Sequence, residues 1–181
     1  MKKILCLVIL LSVCVSVCLC GCGKSDKVTV SINASTLTQE ELSDLEKFAR
    51  DNGFDSAVYN KKKGIVEVTL GSTEHDKLTY GLGVTVIKNV FGMIKSEDYP
   101  YITDVDRNDN FTEMTVYVNK SEYEEDGKGD DISDYVGKCC LVYLNYEDFR
   151  QEDKKCTVRI LDSETKKTIS EKTYYVEDMK G

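Results

Sequence analysis

The chain has no tryptophan, one proline and one histidine in 181 residues. With a single histidine, any Ser-His-Asp or Cys-His centre must use His75, and no serine stands in a GxSxG elbow. His75 falls in the first turn of an expected helix, where a structural or solvent-facing role is the simpler reading. No CxxC pair and no second histidine accompany the eight cysteines, so a zinc site or a thioredoxin-like motif lacks its residues. "GLGVTV", Gly81 to Val86, starts like a dinucleotide fingerprint but lacks the third glycine and the strand-to-helix setting. Basic residues are also short, 24 against 32 acidic, for a net charge of −8. That balance disfavours nucleic acid and anionic headgroups as partners. No pair of carboxylates is singled out for glycosidase chemistry, and there is no internal repeat.

What is present begins at the N-terminus, "MKKILCLVILLSVCVSVCLCGCGKSD". Lys2 and Lys3 precede an apolar run from Ile4 to Leu19 broken only by Ser12 and Ser16, the pattern of a secretory signal. The uncharged stretch reaches Gly23, about the ~20 residues a spanning helix needs, so length alone leaves a retained anchor or plain secretion as alternatives. "LCGC", Leu19 to Cys22, resembles the lipobox of bacterial lipoproteins. That resemblance implies a signal peptide at 1–21, cleavage after Gly21 and a diacylglyceryl group on the Cys22 thiol. Two acyl chains hold stably where one holds marginally, at about 0.8 kcal/mol per buried methylene. Residues 22–27 are then a lipidated cysteine and short tether, and 28–181 a single extracytoplasmic domain. That domain is long enough for its own core, and loss of the signal makes its net charge two units more negative than the whole chain's. Beyond Cys22 the mature cysteines are Cys139, Cys140 and Cys156. One bridge from Cys139 or Cys140 to Cys156 is open outside the cytoplasm; buried free thiols on a helix and a strand are the preferred reading.

Along the body, "KVTVSI" alternates as a half-buried strand does. Thr38 and Glu41 form a capping box for a helix whose stripe is Leu42, Leu45, Phe48 and Ala49, closed by Gly53. A hairpin turns at Asn60–Gly64. A second helix is expected from Ser72 to about Ile94, its stripe Leu78, Leu82, Val86, Val90 and Ile94 with Ile87 and Phe91 beside it. Its middle is weakened by Gly81 and Gly83, each costing about 1 kcal/mol relative to alanine. A second hairpin follows with Met114, Val116 and Val118 inward. Then comes an acidic loop from Glu122 to Asp134. A third helix carries Val136, Cys139, Cys140, Tyr143 and Leu144. A last hairpin turns at Asp162–Lys167 with Cys156, Val158 and Ile160 inward. The order β-α-ββ-α-ββ-α-ββ points to an α+β domain, an antiparallel sheet built from hairpins with two to three helices on one face.

Two stretches invite a calcium reading. "TDVDRNDNFTEMT", Thr103 to Thr115, places Asp104, Asp106 and Asn108 like the first half of an EF-hand loop. It has Asp109 where the loop needs glycine and Thr115 where it needs a bidentate glutamate. "NDN" suits a tight turn, because Asn and Asp bond their own backbone and tolerate left-handed geometry. The Glu122–Asp134 run reads as a solvated face. Tyr99 and Tyr101 flank Pro100, and Tyr174 and Tyr175 sit near the C-terminus; they read as cover for a sheet face.

"DNGFDSAVYNKKKGIVEVTL", "TEHDKL" and "DYPYITDVDRNDNFTEMTVYV" together resemble a group of small cell-surface lipoproteins of Gram-positive, clostridia-like bacteria. The likeness spans roughly Val28 to Met179 and implies location and domain type, not an activity. Gly71 stands where that group has a threonine helix cap. The expectation is a membrane-anchored, non-catalytic binding or interaction module. Its partners would be the membrane, through Cys22, and a protein or cell-wall component. No catalytic, cofactor or metal residue is assigned. The alternative is a wall- or peptide-processing hydrolase using dispersed carboxylates. A two-lobed solute-binding protein is disfavoured by size.

Overall fold

Val28, Val30 and Ile32 alternate with polar residues and form β1 (Lys27–Asn33). The computed structural model describes residues 26–127, 129–149 and 151–179. The signal segment, the lipobox and Cys22 lie outside the described residues. Beyond β1 the elements are helices α1 (Gln39–Ser43) and α2 (Leu45–Asp51), strands β2 (Ser56–Asn60) and β3 (Ile65–Gly71), and helix α3 (Ser72–Phe91). Then follow β4 (Ile102–Arg107), β5 (Glu113–Val118), α4 (Lys120–Asp126), α5 (Gly129–Asn145), β6 (Lys155–Asp162) and β7 (Thr168–Tyr175).

The molecule is α+β, with its strands divided between two sheets. One has the order β1-β3-β2 and is antiparallel; the other has the order β4-β5-β6-β7. The single sheet of hairpins is corrected at β5–β6, which pair in parallel from Glu113↔Thr157 to Val118↔Asp162. The chain leaves β5 through α4 and α5 and re-enters running the same way, as a parallel pair requires. The three expected hairpins all form, each with a left-handed residue in the turn: Gly64 in the first, Phe111 in the second and Lys166 in the last.

The expected first helix is two. The capping box at Thr38 and Glu41 is formed, but Asp44 ends α1 and caps α2 by accepting from the Lys47 amide at 2.9 Å. An aspartate side chain that bonds nearby backbone competes with a continuous helix. The acidic loop at Glu122–Asp134 is also corrected, because most of it is helical. Asn119 caps α4, Tyr123 is buried edge-on to Tyr101 at 5.9 Å, and left-handed Gly127 separates α4 from α5.

Each half has its own core. Val30, Ile32, Val66, Val68 and Leu70 pack beneath Phe48 and Ala49 of α2. Met114, Val116, Val118, Val158 and Ile160 pack beneath Val136, Cys140 and Leu144 of α5. Each buried side chain contributes about 1.5–3 kcal/mol, and a one-residue slip would turn the whole set outward. α3 touches both sheets and α5. Its buried line is therefore His75, Thr79, Gly83, Val86 and Val90. That is a rotation from the expected stripe, because a helix between two sheets buries more than one face.

The halves meet at a polar joint. β1 is an edge strand, and at its C-terminal end the outward Ser31 carbonyl and Asn33 amide are taken by side chains instead of another strand. The Asn33 amide donates to Asn145 Oδ1 at 2.9 Å, and Lys154 Nζ donates to the carbonyls of Ser31 and Asn145 at 2.9 and 3.0 Å. Asn33 Nδ2 donates to the Val176 carbonyl at 2.6 Å. Filling the edge in this way also blocks pairing with another chain.

Candidate functional site

Residues at the i and i+4 positions of a helix share a face. Tyr80 and Val84 of α3 do so pointing outward, 76% and 45% exposed. The large exposed apolar side chains among the described residues are these two, Val58 and Tyr175, so apolar exposure concentrates on this helix face. Beside it runs a groove of about 340 Å³ bounded by α3, the β4–β5 turn and Tyr143 of α5. Gly83 makes it: a Cβ there would stand 3.3 Å from Phe111 Cε2 and 3.6 Å from Tyr143 Cε2. The glycine that weakens the helix lets the aromatic pair approach its backbone. The Phe111 and Tyr143 rings lie 4.8 Å apart, tilted by 59°. Arg107 holds its guanidinium 4.5 Å above the Phe111 ring and donates through Nη1 to the Asn108 carbonyl at 2.9 Å. Burial, aided by a hydrogen bond to Glu147, pushes the Tyr143 phenol well above its ordinary value, so it is neutral at physiological pH.

Phe111 reaches this position from the turn of "DRNDNFT", at φ +54 while almost fully buried. A bulky residue there is strained, and such strain of about 1–3 kcal/mol clusters at ligand clamps and switch regions. Asn108 closes the turn, its Oδ1 accepting from the Glu113 amide at 3.1 Å and its Nδ2 donating to Thr112 at 2.7 Å. Gly81, two residues before Gly83 and on the exposed side of the helix, meets nothing within 4 Å. Gly81→Ala is therefore expected to raise stability by about 1 kcal/mol. Gly83→Ala should not, because the gain in helix propensity is set against displacing Phe111; urea midpoints of the two variants check this.

The calcium candidates come apart in the fold. Asp104 and Asp106 are exposed on β4, accepting from the Val105 and Arg107 amides at 2.9 and 2.8 Å. Among the described residues no group of three His, Cys, Asp or Glu side chains is placed to hold a metal ion. His75 is buried with Nε2 3.1 Å from the Tyr146 carbonyl, tying α3 to the end of α5. A second hollow, of about 360 Å³, gathers Glu40, Glu41, Asp44 and Asp51. All four come from one short stretch. Glu41 serves the capping box, Asp44 the Lys47 amide, and Glu40 the Lys47 ammonium at 3.2 Å. Tyr101 is buried and donates to Asp126 at 2.8 Å, while Tyr174 covers α5.

Sequence reasoning passed over Tyr80, Arg107, Phe111 and Lys154. Tyr80 and Val84 had a signal: two large apolar residues four apart, both off the expected stripe. Lys154 had none, sitting in the charged run "EDKK". Compared with protein-family models, with curated proteins and with solved structures, the chain gives no match. No helix among the described residues is long and apolar enough to cross a membrane.

Proposed function

We propose that this chain is a membrane-anchored extracytoplasmic lipoprotein, lipidated on Cys22, acting as a non-catalytic binding module through the groove of Tyr80, Gly83, Val84, Arg107, Phe111 and Tyr143. The observation that carries the binding reading is the exposed Tyr80–Val84 face beside a preformed aromatic groove. Aromatic walls give contact area at low entropic cost. Arg107 supplies a cation and Asp76 an anion at the rim. Arg107 suits a partner, a protein or a wall peptide, that places a carboxylate beside an apolar group. The lipoprotein reading is supported by "LCGC" and the basic-apolar leader.

The two readings meet at Asp26, whose carbonyl accepts from the Ser72 amide at 2.8 Å. The tether thus enters at the start of α3. Four extended residues reach about 14 Å, and Tyr80 lies about 12 Å along the helix from Ser72. The groove would work within about 30 Å of the bilayer surface.

A photo-crosslinking residue at Tyr80, and one at Val58 as control, tests this in intact cells. The expected result is one discrete adduct from position 80, at least tenfold weaker from 58, and lost with Arg107→Glu, since a hydrogen bond to a charged group is worth about 1.5–3 kcal/mol. Equal adducts at both positions, or an adduct indifferent to Arg107→Glu, would sink the groove assignment. Cys22→Ser should leave the precursor uncleaved and unlipidated; maturation to the same mass with membrane partitioning would sink the anchor.

A further inference from the structure

Helix α3 turns one face to solvent. Glu74, Lys77, Gly81, Val84 and Lys88 recur at spacings of three and four, so they form one line along the helix. All five are exposed, and the line runs opposite the buried one. Tyr80 stands to the groove side of it. Among the described residues the side chains of Glu74, Lys77 and Lys88 make no ion pair or hydrogen bond. Gly81, at the centre, meets nothing within 4 Å, which leaves room for a second helix against its backbone. Glu74 stands seven residues before it, in the first turn, and Lys88 seven after, in the last. The macrodipole favours those signs at those ends, and it also limits what the line can pair with. Two such helices side by side in the same direction would set Glu74 against Glu74 and Lys88 against Lys88. Run antiparallel, each glutamate faces a lysine and the dipoles attract.

We propose that this face is the contact between two copies of the chain, an antiparallel α3–α3 pair whose twofold axis passes Gly81. Symmetry makes the interface isologous: where Glu74 of one copy meets Lys88 of the other, the reverse pair forms as well. Each ion pair lies about 10 Å along the helix from the axis, and Val84 adds apolar contact beside it. A single helix pair is smaller than the standard interface of about 800 Å² per partner, so the association is weak in dilute solution. Copies anchored in one membrane meet at a far higher effective concentration; that clause alone rests on the lipoprotein reading. The described chain enters α3 at Ser72, whose amide bonds the Asp26 carbonyl. A twofold axis normal to the bilayer therefore keeps both copies' tethers on the membrane side. The groove lies on the neighbouring flank of α3 and keeps its own ligand.

The test uses the full chain in intact cells, with a photo-crosslinking residue at Lys77 and, as control, at Val58. The expected product from position 77 is a covalent dimer of the chain, carrying both tags when two tagged copies are co-expressed; position 58 gives none. Glu74→Lys and Lys88→Glu should each lower the yield about tenfold, because each turns two attractions into repulsions. The double variant, or the two single variants co-expressed, should recover it, since the pairs re-form with signs exchanged. Gly81→Leu should remove the dimer, as a large side chain fills the crossing point. Arg107→Glu should leave it unchanged, which separates this contact from the groove. Absence of the dimer from position 77, or an equal dimer from 58, would overturn the proposal. So would single variants that move in opposite directions, the mark of net charge alone, or a double variant worse than either, the mark of the dipole alone. The chain bearing only the photo-residue decides the matter even where a charge variant fails to fold.

Discussion

Lys154→Ala is expected to lose about 4 kcal/mol at pH 7, a fall in Tm of roughly 10 °C. Lys154 is 1% exposed and the largest of the fully buried side chains. Its ammonium satisfies the Ser31 carbonyl on the open edge of β1 and the Asn145 carbonyl at the end of α5. The last carbonyls of a helix have no partner of their own and lie at the negative end of its dipole. Removing the amine orphans two buried acceptors, at about 1–3 kcal/mol each. Removing the four-carbon stem adds a cavity cost of about 2–3 kcal/mol. Against these stands the relief of a buried charge. Burial lowers the Lys154 pKa from 10.5 to about 8, opposed by Asp148 and Glu147, which corresponds to about 3 kcal/mol of charging cost. The orphaned carbonyls and the cavity outweigh it.

The same lysine gives the variant pair a pH signature. A folded-state pKa below the unfolded value means that the unfolded chain binds more protons between the two. The stabilising contribution is thus fully present above about pH 10.5 and lost as pH falls through about 8. Lys154→Met keeps the stem volume but neither the charge nor the bonds. Its deficit should be about 1 kcal/mol at pH 7 and grow to about 4 kcal/mol near pH 10.5. Comparing the two proteins by urea unfolding across that range cancels the tyrosines and other lysines that titrate there. A deficit that stays flat or shrinks would show that the amine is not held as the geometry indicates.

Lys154 also marks where sequence reading stopped. What depends on neighbours in the chain was legible. The Thr38–Glu41 capping box, the three hairpin turns and the alternation of Cys156, Val158 and Ile160 all follow from spacing, and the structure holds all of them. What depends on distant partners was not. The parallel join of β5 to β6 leaves no local trace, because the register is set by how α4 and α5 return the chain. The joint through Asn33, Asn145 and Lys154 looks in sequence like scattered polar residues, since burial is decided by the other half of the fold. In the groove, Phe111 hides in a turn whose Asn and Asp residues account for the bend by themselves. Gly83 reads as a defect until the aromatic pair it admits is in place.

Gly137 carries the same lesson with a larger penalty. Gly137→Ala is expected to cost about 3 kcal/mol, although alanine is the better helix former by about 1 kcal/mol. A Cβ at 137 would lie 2.4 Å from Tyr174 Cδ2 and 2.6 Å from Cγ. Those atoms are at the root of the ring, so no small rotation of a flexible tip clears them. The ring is also held at its far end. The Tyr174 hydroxyl bonds Ser133 Oγ and Asp134 Oδ1, each at 2.8 Å, and Lys172 Nζ reaches the same carboxylate at 2.7 Å. Those bonds to Lys172 and Tyr174 hold the Asp134 carboxyl below its ordinary range. Burial pushes the Tyr174 hydroxyl up to about 12, so it is a neutral donor here. Moving the ring therefore breaks a network as well as a packing contact, and overpacking alone costs about 1–3 kcal/mol. A double-mutant cycle isolates the cause, since residues in contact couple by about 0.5–3 kcal/mol. Tyr174→Ala alone should be destabilising. In that background Gly137→Ala should become neutral or stabilising by up to about 1 kcal/mol, its propensity gain now unopposed. If Gly137→Ala costs as much with Tyr174 removed as with it present, the close approach of α5 to β7 is not what the glycine serves.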